Sequence, residues 1–161
     1  MPGKTLVEKI SSELTKRKKK IATAESCTGG LIAHTLTNIS GSSNFFERGI
    51  VSYSNNSKIQ LLDIDKKLIR KYGAVSPEVA TAMAEGIRIK SDVDIGLSTT
   101  GIAGPTGGSA EKPVGLVYIG ISTKKVTIVK KYNFSTDRLE NKKRTCKKAL
   151  ELLYQQIKDG A

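Results

Sequence analysis

Ser43, Tyr53 and Lys58 fall within sixteen residues, and together these side chains can run serine-based acyl transfer. Ser43 lies in the loop Ser40-Gly41-Ser42-Ser43, where a nucleophile can meet substrate on a rigid scaffold. Tyr53 ends a predicted strand, and Lys58 falls near the third position of a helix predicted to be capped by Asn55. A lysine there faces the positive end of the helix dipole, which depresses its pKa and favours the neutral amine. A neutral, partly buried lysine can take the proton of a serine hydroxyl, and a tyrosine OH can relay or orient that proton. Spacing alone leaves open a plainer alternative of surface hydroxyls and a solvated lysine.

Other signatures fail. Neither Gly-rich stretch has the Gly-x-x-x-x-Gly-Lys-Ser/Thr order of a P-loop, and no Gly-x-Ser-x-Gly elbow is present. Cys27 precedes a predicted helix, but its only possible histidine partner, His34, is seven residues on, about 10 Å along the helix axis and too far to act as its base. With one His and two Cys, no four-ligand Cys/His zinc site can form, so a metal is not expected; no cofactor is expected for this chemistry either. The loop Gly101–Ser109 follows a strand, and its small residues would let backbone N–H groups approach an oxyanion or phosphate, unless it is merely a flexible connection. Thr28-Gly29-Gly30 at a helix start reads equally as an anion seat or as close helix–sheet packing. Glu25 could orient Lys58 or a substrate ribose, or accept hydrogen bonds from a loop.

The elements that must position these groups alternate. Helical periodicity covers residues 4–18, the stretch from Leu31 to Ile39, the segment with Lys58, Ile59, Leu61 and Leu62, residues 77–90 after the Ser76-Pro77-Glu78 start, and residues 139–157. Strands are predicted at 20–24, 49–53, 93–99, 114–123 and 126–134, the last two forming a hairpin. This order predicts an α/β fold, three-layer α/β/α with a mixed, mostly parallel sheet, over a single domain spanning 1–161.

Charge is uneven along the chain. Of the net +12, residues 1–20 contribute 7 basic against 2 acidic side chains and residues 124–161 contribute 11 against 4, whereas 21–123 balance at 9 and 9. Aromatics make up only 5%, so the excess reads as solvated faces on two terminal helices, and binding to nucleic acid is not expected. A non-catalytic basic module that binds nucleotides or nucleic acid is the competing class. No apolar run approaches the roughly 20 residues of a membrane span, and the absence of a signal-like h-region points to the cytoplasm.

Several motifs occur together: Ala24-Glu25-Ser26-Cys27-Thr28-Gly29-Gly30, Gly41-Ser42-Ser43, Val51-Ser52-Tyr53-Ser54-Asn55-x-x-Lys58, Gly73-Ala74-Val75-Ser76, Thr100-Gly101-Ile102-Ala103-Gly104-Pro105-x-Gly107-Gly108-Ser109 and Lys112-Pro113-Val114-Gly115. In this order, over roughly residues 5–157, they resemble the CinA C-terminal domain family, whose enzymes are nicotinamide mononucleotide amidohydrolases of the PncC type. The resemblance implies hydrolysis of the nicotinamide carboxamide to nicotinate mononucleotide and ammonia, a step in pyridine-nucleotide recycling. It implies Ser43 as nucleophile with Lys58 and Tyr53 as activating partners, Thr100 and Gly101 beside the carboxamide, and Arg138 in the substrate site. A homo-oligomer, dimer or higher, is the family's habit.

Overall fold

A computed structural model describes residues 3–161; Met1 and Pro2, the first residues of the expected 1–161 domain, lie outside the described residues. Five strands form one sheet in the order β2-β1-β3-β4-β5: β1 Ile21–Glu25, β2 Phe46–Val51, β3 Ile95–Gly101, β4 Leu116–Ser122 and β5 Thr127–Asn133. β1 pairs in parallel with both β2 and β3, and β4 runs antiparallel to β3 and β5, so four strands point one way and β4 alone is reversed. The expected three-layer α/β/α fold with a mixed, mostly parallel sheet is the one observed.

Helices cover both faces. On one side α1 (Leu6–Lys16), α2 (Leu31–Thr37) and α6 (Arg138–Lys158) pack with Ile21, Ile95, Leu97, Ile119 and Ile121. On the other, α3 (Asn55–Leu62), α4 (Lys66–Tyr72) and α5 (Pro77–Ser91) close over Ala22 and Ala24 with Leu62, Ile69, Val79, Met83 and Ile87. Small alanines on β1 let the α5 layer come close, while the branched residues of the same strand fill the opposite face, as the two-residue period of a strand requires. α1 and α6 are neighbours, so the two basic ends of the sequence share one layer.

Three expectations shift. The strand expected at 49–53 begins at Phe46 and ends at Val51, where its pairing with β1 ends. The cap of α3 is Ser54, not Asn55: Ser54 Oγ accepts from Ser57 N–H and Ser57 Oγ accepts from Ser54 N–H, a reciprocal box that places Asn55 inside the helix. α4 was not expected from sequence, because Lys66-Lys67-Leu68-Ile69-Arg70-Lys71-Tyr72 offers only one deeply buried side chain, Ile69.

The sheet order fixes where a site can form. From β1 the chain passes to β2 on one side, and β3 lies on the other, so the connections diverge between β1 and β3. Open α/β sheets bind ligands outside the carboxyl ends of their parallel strands at such a divergence.

Candidate active site

Ser26 is the first residue beyond β1, and its N–H donates to Thr99 O of β3 at 3.0 Å. Ser52 is the first beyond β2, and its N–H donates to Glu25 O at 2.9 Å. These two bonds extend the parallel ladder by one step and fix the ends of β1, β2 and β3 side by side. Into that corner reaches Lys58. It stands one helical turn before Leu62 on α3, so both face the interior, and Lys58 is only 1% exposed.

Lys58 Nζ donates to Ser26 Oγ at 3.1 Å and to Ser52 O at 2.9 Å, with Tyr53 O at 3.5 Å. No carboxylate lies within 4.0 Å of it among the described residues. Burial pushes its pKa below the ordinary lysine value, with the Cys27 thiol a smaller opposing influence. Desolvation acts here beside the helix dipole that the sequence suggested. In its neutral form an amine has two N–H groups and one lone pair; with the carbonyls of Ser52 and Tyr53 taking the first two, the lone pair would then be free to accept from the Ser26 hydroxyl at the same contact.

A cavity of about 230 Å³ opens beside this pair, walled by Ser26, Cys27, Tyr53, Lys58, Thr100 and Arg138. Thr100 Oγ1 donates to Ala74 O at 2.8 Å, which pins the loop before α5 against β3. Gly101 also lines the cavity, but the reason for glycine is β4: a Cβ there would meet Leu116 O at 2.7 Å and Val117 Cγ2 at 2.7 Å. Arg138, the first residue of α6, donates from Nη1 to Gly104 O at 2.7 Å and from Nη2 to Tyr53 Oη at 2.8 Å. Asn141 Nδ2 holds Ala103 O at 2.9 Å, so α6 fastens the loop after β3 to the rim.

The structure thus brings Tyr53, Lys58, Thr100, Gly101 and Arg138 to one cavity and leaves Ser43 out. Ser43 sits in a single 3-10 turn, Ser42–Asn44, ahead of β2, where its carbonyl accepts from Lys20 Nζ at 2.9 Å. β2 then carries the chain five steps, about 16 Å at the ~3.3 Å rise of a strand, before Tyr53 is reached. Ser43 therefore lies at the amino ends of the parallel strands and Lys58 at their carboxyl ends. The expectation that Lys58 activates Ser43 is corrected: the hydroxyl on its amine is that of Ser26. Tyr53 contributes its carbonyl to Lys58, while its hydroxyl turns across the mouth to Arg138 and makes no contact with the amine.

Thr28, Gly29 and Gly30 do not form an anion seat at the start of α2, because Glu25 already occupies it. The buried Glu25 carboxylate accepts from Thr28 Oγ1 at 2.6 Å, Ile32 N–H at 2.9 Å and Ala33 N–H at 3.0 Å. Thr28 Oγ1 also meets Thr99 Oγ1 at 2.8 Å, tying the turn to β3. Glu25 makes no hydrogen bond to Lys58; it supplies the cap that Gly30 lacks. Cys27 lines the cavity, but burial pushes its thiol up to about 12, which leaves it protonated, and His34 lies exposed on α2 against Asn38. Among the described residues no group of three or more His, Cys, Asp or Glu is placed to hold a metal ion.

Residues 3–157 match the CinA C-terminal domain. This chain belongs to the CinA C-terminal domain family. One relative of this CinA domain, from Caldicellulosiruptor bescii and named "Putative competence-damage inducible protein", is 49% identical over 154 residues, covering 96% of the chain and 38% of the relative. A Thermoanaerobacter pseudethanolicus protein of the same name is 50% identical over 146 residues, 91% of the chain and 35% of the relative. The CinA domain described here therefore spans well under half the length of these curated relatives. Among solved structures, the competence/damage inducible protein CihA from Agrobacterium tumefaciens superposes with a TM-score of 0.89 at 40% identity, covering 92% of this chain and 91% of that one. The competence damage-inducible protein A from Klebsiella pneumoniae gives 0.93 at 28% identity, with 97% of both chains covered.

Proposed function

We propose that this CinA domain hydrolyses the carboxamide of nicotinamide mononucleotide to nicotinate mononucleotide and ammonia, with Ser26 as nucleophile and Lys58 as its base. The observation that carries the reading is the buried 3.1 Å contact between a lysine with depressed basicity and a serine that opens onto a cavity. The substrate identity rests on the family resemblance.

In the forward step Ser26 Oγ attacks the carboxamide carbon as its proton passes to Lys58 Nζ. The resulting ammonium returns that proton to the departing nitrogen, ammonia leaves, and an ester on Ser26 remains. Water then adds to the ester with Lys58 again as base, releasing the carboxylate and restoring the serine. Thr100 Oγ1, whose proton is committed to Ala74 O, offers only lone pairs, and these suit the N–H groups of a carboxamide. Tyr53 and Arg138 hold each other across the mouth and there meet the sugar-phosphate end of the substrate. The reaction belongs to pyridine-nucleotide recycling in the cytoplasm, in a homo-oligomer.

Ammonia release from the mononucleotide by the purified chain tests the reading. Steady turnover that is lost in Ser26→Ala supports it; no ammonia from well-folded protein at millimolar substrate overturns it. The adjacency of basic α1 and α6 gives a second reading, a non-catalytic module for nucleic acid or nucleotides. That reading requires DNA binding that survives the range from about 50 to 200 mM salt, where unspecific phosphate contacts are lost steeply.

A further inference from the structure

Thr99 is fully buried on β3 and does not line the cavity, yet it meets four consecutive residues of the turn that carries Ser26. It is the register partner of Glu25, its carbonyl accepts from Ser26 N–H at 3.0 Å, its side chain lies beside the Cys27 thiol, and its hydroxyl meets Thr28 Oγ1 at 2.8 Å. The direction of that last bond follows from its neighbour. Thr28 Oγ1 gives its single proton to the Glu25 carboxylate at 2.6 Å, so the proton between the two threonines comes from Thr99.

The residue type departs from its row. Side chains alternate along a strand, so Ile95, Leu97 and Thr99 share one face of β3, and the first two belong to the apolar core. A valine would complete that row with the same branched shape, whereas a buried hydroxyl costs free energy unless it is bonded. Such a break of pattern, with no gain in packing, is expected beside a functional site. The turn itself shows what the hydroxyl is for. Gly29 and Gly30 follow at positive φ, +60° and +99°, and glycine offers the least conformational resistance of any residue, so the sheet side must hold Ser26 in place. A reacting atom misplaced by about 1 Å can lose about a hundredfold in rate.

We infer that Thr99 is a positioning residue for Ser26: its hydroxyl, bonded to Thr28, locks the turn so that Ser26 Oγ stays against Lys58 Nζ at the cavity. The inference rests on the reading of Ser26 as nucleophile. Thr99 makes no hydrogen bond to Lys58 and acts only through the turn.

Thr99→Val keeps the shape and the carbonyl that holds Ser26 N–H and removes the hydroxyl alone, while Thr99→Ser keeps the hydroxyl. In Thr99→Val, kcat for ammonia release from the mononucleotide is expected to fall about tenfold to a hundredfold with KM within about twofold of wild type; in Thr99→Ser, kcat stays within about threefold. Acetylation of Ser26 by p-nitrophenyl acetate, followed by peptide mass, needs no nucleotide and is expected to slow in Thr99→Val by a similar factor. Thr28→Val cuts the same bond from the other side, and its expected slowing of both reactions serves as the measurement should Thr99→Val not fold. Unchanged rates in either folded valine variant, a loss confined to KM, or a Thr99→Ser as slow as Thr99→Val overturns the positioning role. Acetylation of Ser26 that depends on Thr99, with no ammonia released by wild type, overturns the amidase reading alone.

Discussion

Lys58 Nζ lies 3.1 Å from Ser26 Oγ although 32 positions separate them in sequence, and the contact is wholly buried. Two parallel strands make it: β1 delivers the serine, β2 delivers the carbonyls of Ser52 and Tyr53, and α3 turns the lysine back onto both. An ion buried without a carboxylate is costly, and that cost lowers the hold of the Lys58 amine on its proton.

The rate should therefore follow Lys58. Since burial lowers the amine's pKa in the folded protein, kcat/KM is expected to rise with pH to a plateau whose midpoint lies below the ordinary lysine value of about 10.4. A pH-independent kcat/KM across the neutral to alkaline range, with chemistry rate-limiting, would contradict Lys58 as the base.

Stability carries the same signature. Between the lowered folded pKa and the unfolded value of about 10.4, the unfolded chain binds more protons at Lys58, so stability from this residue increases as pH rises through that window. The stability of wild type relative to Lys58→Met, measured by denaturant titration, is expected to grow with pH there. A difference that is constant or shrinks with pH would show that the folded pKa is not lowered.

Much of this arrangement was legible in the sequence. The layers, the mixed, mostly parallel sheet and the Ser76 start of α5 follow from period and capping residues, and Tyr53, Lys58, Thr100, Gly101 and Arg138, named on the sequence, line one cavity. Ser26 was missed although it stands in Ala24-Glu25-Ser26-Cys27-Thr28-Gly29-Gly30, because nearness along the chain favoured Ser43. The available signal was topological. In a parallel pair, the residue after one strand neighbours the residue after the other, never the residue before it. The two readings of Thr28-Gly29-Gly30 could not be separated on the sequence, because periodicity does not reveal that a buried acid from the preceding strand folds forward onto a helix start.

That acid offers a stability test. Glu25→Ala strips the acceptor from the Ile32 and Ala33 N–H groups and from Thr28 Oγ1 in a buried setting. The expected loss is about 3 kcal/mol, a Tm lower by roughly 6–12 °C. A decrease under about 2 °C would mean that water or another group caps α2 just as well.

Arg138 bridges Gly104 O and Tyr53 Oη from two different nitrogens, which one ammonium cannot reproduce. Arg138→Lys is expected to raise KM for the mononucleotide by one to two orders of magnitude, about 1.4–3 kcal/mol, and to change the riboside little. Equal impairment of both substrates would place the role of Arg138 in holding the rim rather than in meeting phosphate.

The choice between the two serines is the most direct test of the whole account. Ammonia release from nicotinamide mononucleotide should be measured for Ser26→Ala and Ser43→Ala side by side, each checked for native circular dichroism. Ser26→Ala is expected to lose at least about a thousandfold in kcat, as removal of a covalent nucleophile does, while Ser43→Ala, at the far end of β2, keeps near wild-type turnover. An active Ser26→Ala, or a dead but folded Ser43→Ala, would contradict the assignment of Ser26 and Lys58 as the reacting pair.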